Sequence, residues 1–132
     1  MKGYELTSTL GNMFENTIAM ARILASGLLD KHPNLKLVCP HLGGTLPYIC
    51  GRMDHQLHVL KRGPQNLSRK PGEYLQWNYM DIVSPLPEAM RCALDFTTAD
   101  KLLFFQWTVR GSSPLKYCNR SAAFNSLPRT KQ

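Results

Sequence analysis

Lys36-Leu37-Val38-Cys39-Pro40-His41-Leu42-Gly43-Gly44-Thr45-Leu46-Pro47-Tyr48 is the stretch whose reading decides the fold. It begins as a short apolar run that reads as a buried strand and stops at a histidine. Two glycines follow, where the backbone can bend or approach a ligand closely. Pro47 then opens a helix, since proline suits a first turn. A titratable side chain at the C-terminal end of a strand, just before a βα turn, is where parallel α/β proteins place their chemistry. His41 is therefore the candidate catalytic residue, against the alternative of a hydrogen-bonded structural histidine.

On the N-terminal side, residues 1–12 carry Gly3, Gly11 and polar residues and read as a loop. A helix is expected from Glu15 or Asn16, with Asn16 as N-cap. Ile18, Ala19, Ala21, Ile23, Leu24 and Leu28 repeat along it at helical spacing. Gly27 lies near its end, and His32-Pro33-Asn34 is a turn. The strand over 35–39 follows, and its successive apolar residues suit cover on both faces. On the C-terminal side, 47–60 is the next helix, 61–72 a loop and 73–77 a short helical turn that buries Tyr74 and Leu75. Residues 79–83 form a second strand, 85–96 a third helix and 102–105 a third strand. Strands alternating with helices of this length predict an α/β fold built of βα units on a parallel sheet.

Bulk properties narrow the reading. The chain has 132 residues, 43% apolar and 19% charged, which suits one globular domain with a modest core. No apolar stretch is long enough to span a membrane and no secretory signal opens the chain, so a cytoplasmic address is expected. Cys39, Cys50, Cys92 and Cys118 form no CxxC pair and read as free, mostly buried thiols. The formal charge is +7, but residues 1–109 hold 11 basic against 9 acidic side chains. The excess lies in Arg110, Lys116, Arg120, Arg129 and Lys131. Spread over a segment rich in Ser, Asn and Pro, these charges suit a solvated end better than a nucleic-acid surface.

Beyond the opening stretch, Leu35-Lys36-Leu37-Val38, then His41 to Tyr48, then Gly51-Arg52-Met53-Asp54 together resemble the sixth-strand motif of the metal-dependent decarboxylases of the amidohydrolase superfamily. Aminocarboxymuconate semialdehyde decarboxylase and gamma-resorcylate decarboxylase belong to that group. The resemblance runs over roughly residues 3 to 105. It implies a partial (β/α)8 TIM barrel, matching about the last three βα units, with residues 1–105 as the barrel domain and 106–132 as an irregular or disordered tail. A closed barrel needs about eight strands and roughly 250 residues, more than this sequence supplies.

The resemblance also assigns roles. It gives His41 general acid/base work beside a divalent metal, zinc or manganese, in a carboxy-lyase acting on a small unsaturated or aromatic carboxylic acid. Imidazole titrates near neutrality and can hold and deliver the proton that such a decarboxylation needs. Gly43 and Gly44 would let backbone amides reach an anionic substrate, or simply make a tight turn. Hydroxybenzoate decarboxylases usually carry an acid three residues after the histidine. Here that position is Gly44, closer to the aminocarboxymuconate branch. Arg52 and Asp54 match the Gly-Arg-x-Asp string and suit an ion pair or packing. His55 and His58, three apart, would share a helix face; with Asp54 they are too few for zinc's usual ligand set, and a solvated face is the simpler reading.

The departures are as informative. The family's ligands on its first and fifth strands have no counterpart. Its last ligand, an aspartate after the eighth strand, should fall at position 107. The chain there reads Phe104-Phe105-Gln106-Trp107-Thr108-Val109, and an indole does not coordinate zinc. No bound metal is therefore expected of this chain alone, and the abrupt loss of similarity reads as a truncated or frameshifted product. The expected function is that of a decarboxylase portion with a small carboxylic acid as substrate and a homo-oligomer as its assembly. The alternative is a non-catalytic remnant or small protein-binding module.

Overall fold

The computed structural model describes residues 4–82 and 86–103. Its elements are α1 (Asn12–Ala25), α2 (Leu28–Lys31), β1 (Val38–Cys39), a one-turn segment α3 (Pro40–Gly43), α4 (Leu46–Asp54), α5 (Pro71–Trp77), β2 (Tyr79–Asp81), α6 (Pro87–Phe96) and β3 (Leu102–Leu103). The three strands form one parallel sheet in the order β1-β2-β3. Chain order equals spatial order, the pattern of a singly wound sheet.

Register fixes what each face carries. Val38 lies opposite Tyr79 and Cys39 opposite Met80, while Met80 lies opposite Leu102 and Asp81 opposite Leu103. Side chains alternate along a strand, so Cys39, Met80 and Leu102 share one face and Val38, Tyr79, Asp81 and Leu103 the other. The first face is covered: Cys39 and Met80 are fully buried in a core with Met20, Leu24, Leu42, Leu46, Cys50, Leu75 and Ala93. On the opposite face Val38 remains 46% exposed. The expectation of a strand covered on both faces is thus corrected. α1, α4, α5 and α6 all contribute to the core on the Cys39–Met80 side, while Val38 keeps nearly half of its surface exposed among the described residues.

The N-terminal segment differs from expectation as well. Thr7–Gly11 is wound as a π-helical turn that runs straight into α1, so Asn16 lies inside the helix rather than at its cap. Ser8 Oγ, Thr9 Oγ1 and the Thr9 N–H all donate to the Glu5 carbonyl, at 3.0, 2.9 and 3.0 Å. An exposed polar turn of helix has the same composition as a loop, which is why the sequence misleads there. Gly27 performs as its position suggests: at φ 74 it lets the chain turn between α1 and α2. The helix expected over 47–60 is α4 continued by a second π-helical turn, His55–Val59.

The regular strands are shorter than the apolar runs. Only Val38–Cys39 pair in β1, although the Tyr79 N–H donates to the Leu37 carbonyl at 2.8 Å and the Leu37 N–H to Asn78 Oδ1 at 3.1 Å. Val83, Pro85 and residues 104–105, expected in the second strand, the third helix and the third strand, lie outside the described residues, as does the tail. α5 begins at Pro71, earlier than the turn expected over 73–77, and buries Tyr74 and Leu75 as foreseen. No helix among the described residues is long and apolar enough to cross a membrane.

Candidate active site

Parallel strands bring their C-terminal ends to one edge, and two polar groups meet there. The first is the α3 turn after β1. His41 and Leu42 both hold left-handed backbone, at φ 57, ψ 48 and φ 53, ψ 32. Two successive non-glycine residues in this region are uncommon, and each costs on the order of 1 kcal/mol or more. His41 itself is half-buried, while Leu42 is 4% exposed and anchored in the core. The second group is Asp81, the last residue of β2, which is 8% exposed. Its Oδ1 accepts the Leu42 N–H at 3.3 Å.

The glycines complete the turn. Gly43 and Gly44 continue the positive backbone angles at φ 80 and φ 64. The Gly44 N–H donates to the His41 carbonyl at 2.9 Å. A Cβ on Gly44 would collide with Thr17 Oγ1 and lie 2.9 Å from the Met13 carbonyl oxygen. The turn is therefore pressed against α1. Thr17, buried in α1, accepts the Thr45 N–H at 2.9 Å and donates to the Met13 carbonyl at 2.7 Å. Gly44 is needed for this close approach whatever else it does. A side chain there would also have to adopt φ 64, ψ −126, a region that favours glycine.

Arg52 and Asp54 do not act together. Two residues apart on α4, they point in different directions. Arg52 is exposed, and Asp54 Oδ1 accepts the Gly72 N–H at 3.0 Å, tying α4 to the start of α5. His55 is exposed and His58 half-buried within the π-helical turn, where residues three apart are less well aligned than on an α-helix. Among the described residues no group of three or more His, Cys, Asp or Glu could hold a metal ion. The described residues therefore do not make a metal centre by themselves, and Trp107 lies outside them.

Cys39 and Cys50 are buried free thiols and Cys92 an exposed one. Burial, with the charge of Asp81 nearby, pushes the Cys39 thiol up to about 12. Burial and the Asp54 charge do the same for Cys50, also to about 12. Neither is a nucleophile at neutral pH. Asp81 and Thr17 were not among the candidate residues read from the sequence. The signal for Asp81 was available: an acid ending the apolar run Tyr79-Met80 has the same standing as a histidine ending 35–39. Thr17 carried no signal, because its partner turn is 28 residues away in sequence.

With this geometry in place, comparison with known proteins fixes the class. The chain belongs to the amidohydrolase family, which it matches over residues 3–104. More particularly, gamma-resorcylate decarboxylase of Polaromonas sp. strain JS666 is 36% identical over 66 residues, 49% of this chain and 20% of that enzyme. 6-Methylsalicylic acid decarboxylase of Penicillium expansum is 29% identical over 83 residues, 62% of this chain and 26% of that enzyme. Among solved structures, the dihydroxybenzoic acid decarboxylase of Polaromonas sp. JS666, with bound manganese and the inhibitor 2-nitroresorcinol, superposes with a TM-score of 0.59 and 31% identity over 67% of this chain and 27% of that one. The 5-carboxyvanillate decarboxylase of Sphingomonas paucimobilis gives a TM-score of 0.78 over 96% of this chain and 39% of that one; at 21% identity it speaks for the fold alone. The chain spans about a fifth to a quarter of the length of these curated relatives. They are decarboxylases of aromatic acids, and the two named here act on the hydroxybenzoate side, away from the branch suggested by Gly44.

Proposed function

We propose that this chain contributes the His41 edge of a decarboxylase active site for a small hydroxylated aromatic acid, as the part of a (β/α)8 barrel that holds about its last three βα units. The observation that carries the reading is the position of His41. It stands just past the C-terminal end of β1, in a turn held left-handed and hydrogen-bonded to the end of β2. The singly wound order of the sheet, and the exposure of Val38 on its second face among the described residues, support the barrel portion. The barrel domain is taken to span residues 1–105, with 106–132 outside it; the family match ending at 104 supports that boundary. Gly43 and Gly44 shape the turn in this reading and bring its amides near the acid. Arg52 and Asp54 serve the surface and the α4–α5 contact. The free thiols Cys39, Cys50 and Cys92 favour a cytoplasmic address.

The chemistry asked of His41 is one proton. The imidazolium gives it to the ring carbon that bears the carboxylate. The bond from that carbon to the carboxylate then breaks, its electron pair returns to the ring, and carbon dioxide leaves. His41 regains a proton from solvent. A general acid of this kind is worth roughly 10²–10⁴-fold in rate. In relatives of known structure a manganese ion accompanies the aromatic ligand. Among the described residues no group of three or more His, Cys, Asp or Glu could hold such an ion.

The test is release of carbon dioxide from 2,6-dihydroxybenzoate, with manganese present. It uses this chain alone and the chain supplied with the N-terminal portion of a gamma-resorcylate decarboxylase. Activity in the complemented sample that falls roughly 10²-fold or more in His41→Gln supports the reading. Activity that survives His41→Gln unchanged removes His41 from the chemistry. No activity in either sample favours a non-catalytic binding module.

A further inference from the structure

The left-handed pair His41–Leu42 needs something to hold it. Backbone in this region persists in non-glycine residues only where the surroundings over-determine it. Four restraints converge on the turn. The Gly44 N–H closes onto the His41 carbonyl, and Thr17 takes the Thr45 N–H. The Leu42 side chain is anchored in the core, and Asp81 accepts the Leu42 N–H. Thr17 acts downstream of His41. The Gly44 N–H holds the carbonyl of the peptide group that joins His41 to Leu42 from within the turn, whereas Asp81 holds its N–H from a different strand, 39 residues away. A charged acceptor on a buried backbone N–H makes a stronger hydrogen bond than a neutral one. Asp81 ends the central strand of the sheet, and its neighbour Met80 is fully buried.

We propose that Asp81 is the positioning residue for His41: its carboxylate pins the Leu42 N–H and thereby fixes the left-handed His41–Leu42 turn from which the imidazole is presented. The inference rests on the reading of His41 given above, but concerns how that residue is held rather than what it does. The role needs an acceptor oxygen at position 81 and does not need the negative charge as such. Asp81→Asn keeps an oxygen on the same carbon frame. Asp81→Leu keeps the branching at Cγ and removes the acceptor.

The test is amide hydrogen exchange and imidazole NMR on the whole 132-residue chain. In Asp81→Leu the Leu42 amide should exchange roughly tenfold faster or more, as for the loss of one buried hydrogen bond. The His41 ring resonances should shift with it, while the Thr45 amide, held by Thr17, keeps its parent protection. Asp81→Asn should restore Leu42 protection and the His41 resonances to near the parent. If Asp81→Leu leaves Leu42 and His41 unchanged, the proposal is overturned. If Asp81→Leu does not fold, Asp81→Asn decides: retained protection supports the acceptor role, and lost protection overturns it. These readouts do not depend on turnover. A His41→Gln variant that left decarboxylation intact would therefore remove the catalytic reading without touching this one.

Discussion

The two faces of the β1-β2-β3 sheet differ in what they carry and in how far Val38 and Cys39 are covered. One face is complete: Cys39 and Met80 are sealed under the helices, and Leu102 packs against the same core. The other carries Val38, half exposed, and Tyr79, over whose ring Lys101 Nζ lies 4.8 Å from the centroid. It ends in the buried carboxylate of Asp81. An apolar, close-packed face does structural work, whereas a face mixing a carboxylate, a cation and an aromatic ring is built to look onto something polar or onto further chain. The site edge sits where the second face meets the C-terminal ends of the strands.

Thiol chemistry gives the widest separation between covered and open positions. Cys39 and Cys50, buried and pushed up to about 12, hold a thiolate fraction of roughly 10⁻⁴ at pH 8. Cys92 is exposed on α6. Alkylation of the native chain followed by peptide mapping should label Cys92 at least about a hundredfold faster than either buried thiol. Comparable rates at Cys39 would mean that the covered face opens readily and that the contrast between faces is false.

Stability should follow the same division. Met80→Ala removes a fully buried side chain at the centre of the covered face and should cost about 2–5 kcal/mol in urea unfolding. Val38→Ala, one strand over on the open face, should change stability by no more than about 0.5 kcal/mol. Equal losses at the two positions would show that Val38 is covered in solution. Gly44→Ala tests the turn that bridges the faces. The added methyl meets Thr17 and the Met13 carbonyl, at a backbone angle that favours glycine, and should cost about 1–3 kcal/mol. A neutral result would mean that the turn moves away from α1 freely.

How much of this was legible follows from what kind of interaction each feature uses. The βα alternation and the parallel sheet were readable, because they rest on local periodicity over 35–39, 47–60 and 85–96. The place of His41 just past a strand end was readable, because the apolar run before it announces the strand. The open face was not readable: Leu37-Val38-Cys39 is apolar throughout, and nothing local says that Val38 will lack cover. Thr17 escaped because its partner lies 28 residues away; Asp81 could have been found as the acid ending its own apolar run, but its partner, 39 residues away, could not. The glycines were readable as a bend, whereas the reason for Gly44 in particular, its contact with α1, belongs to tertiary structure.

The smallest expected effect lies at the rim of the covered layer. Asp30 on α2 accepts hydrogen bonds from Ser68 Oγ and Tyr74 Oη, and at 3.1 Å from the Ser68 N–H. Those hydrogen bonds, from Ser68 first and Tyr74 second, hold its carboxyl below the ordinary carboxylate value. A carboxylate depressed by folding contributes stability above its unfolded pKa, and that contribution is lost as pH falls through the lower, folded value. Ser68→Ala removes the hydroxyl and leaves the backbone donor. At pH 7 the loss should be about 0.5–1 kcal/mol, near the low end for a charged acceptor because Asp30 is partly exposed. As pH falls through the carboxylate range the parent should lose this advantage, and the urea midpoints of parent and variant should converge. A difference that stays constant from neutral to acid pH would mean that the serine hydroxyl stabilises the loop before α5 through Tyr74 alone, from which it lies 3.1 Å, and that the Asp30 charge takes no part.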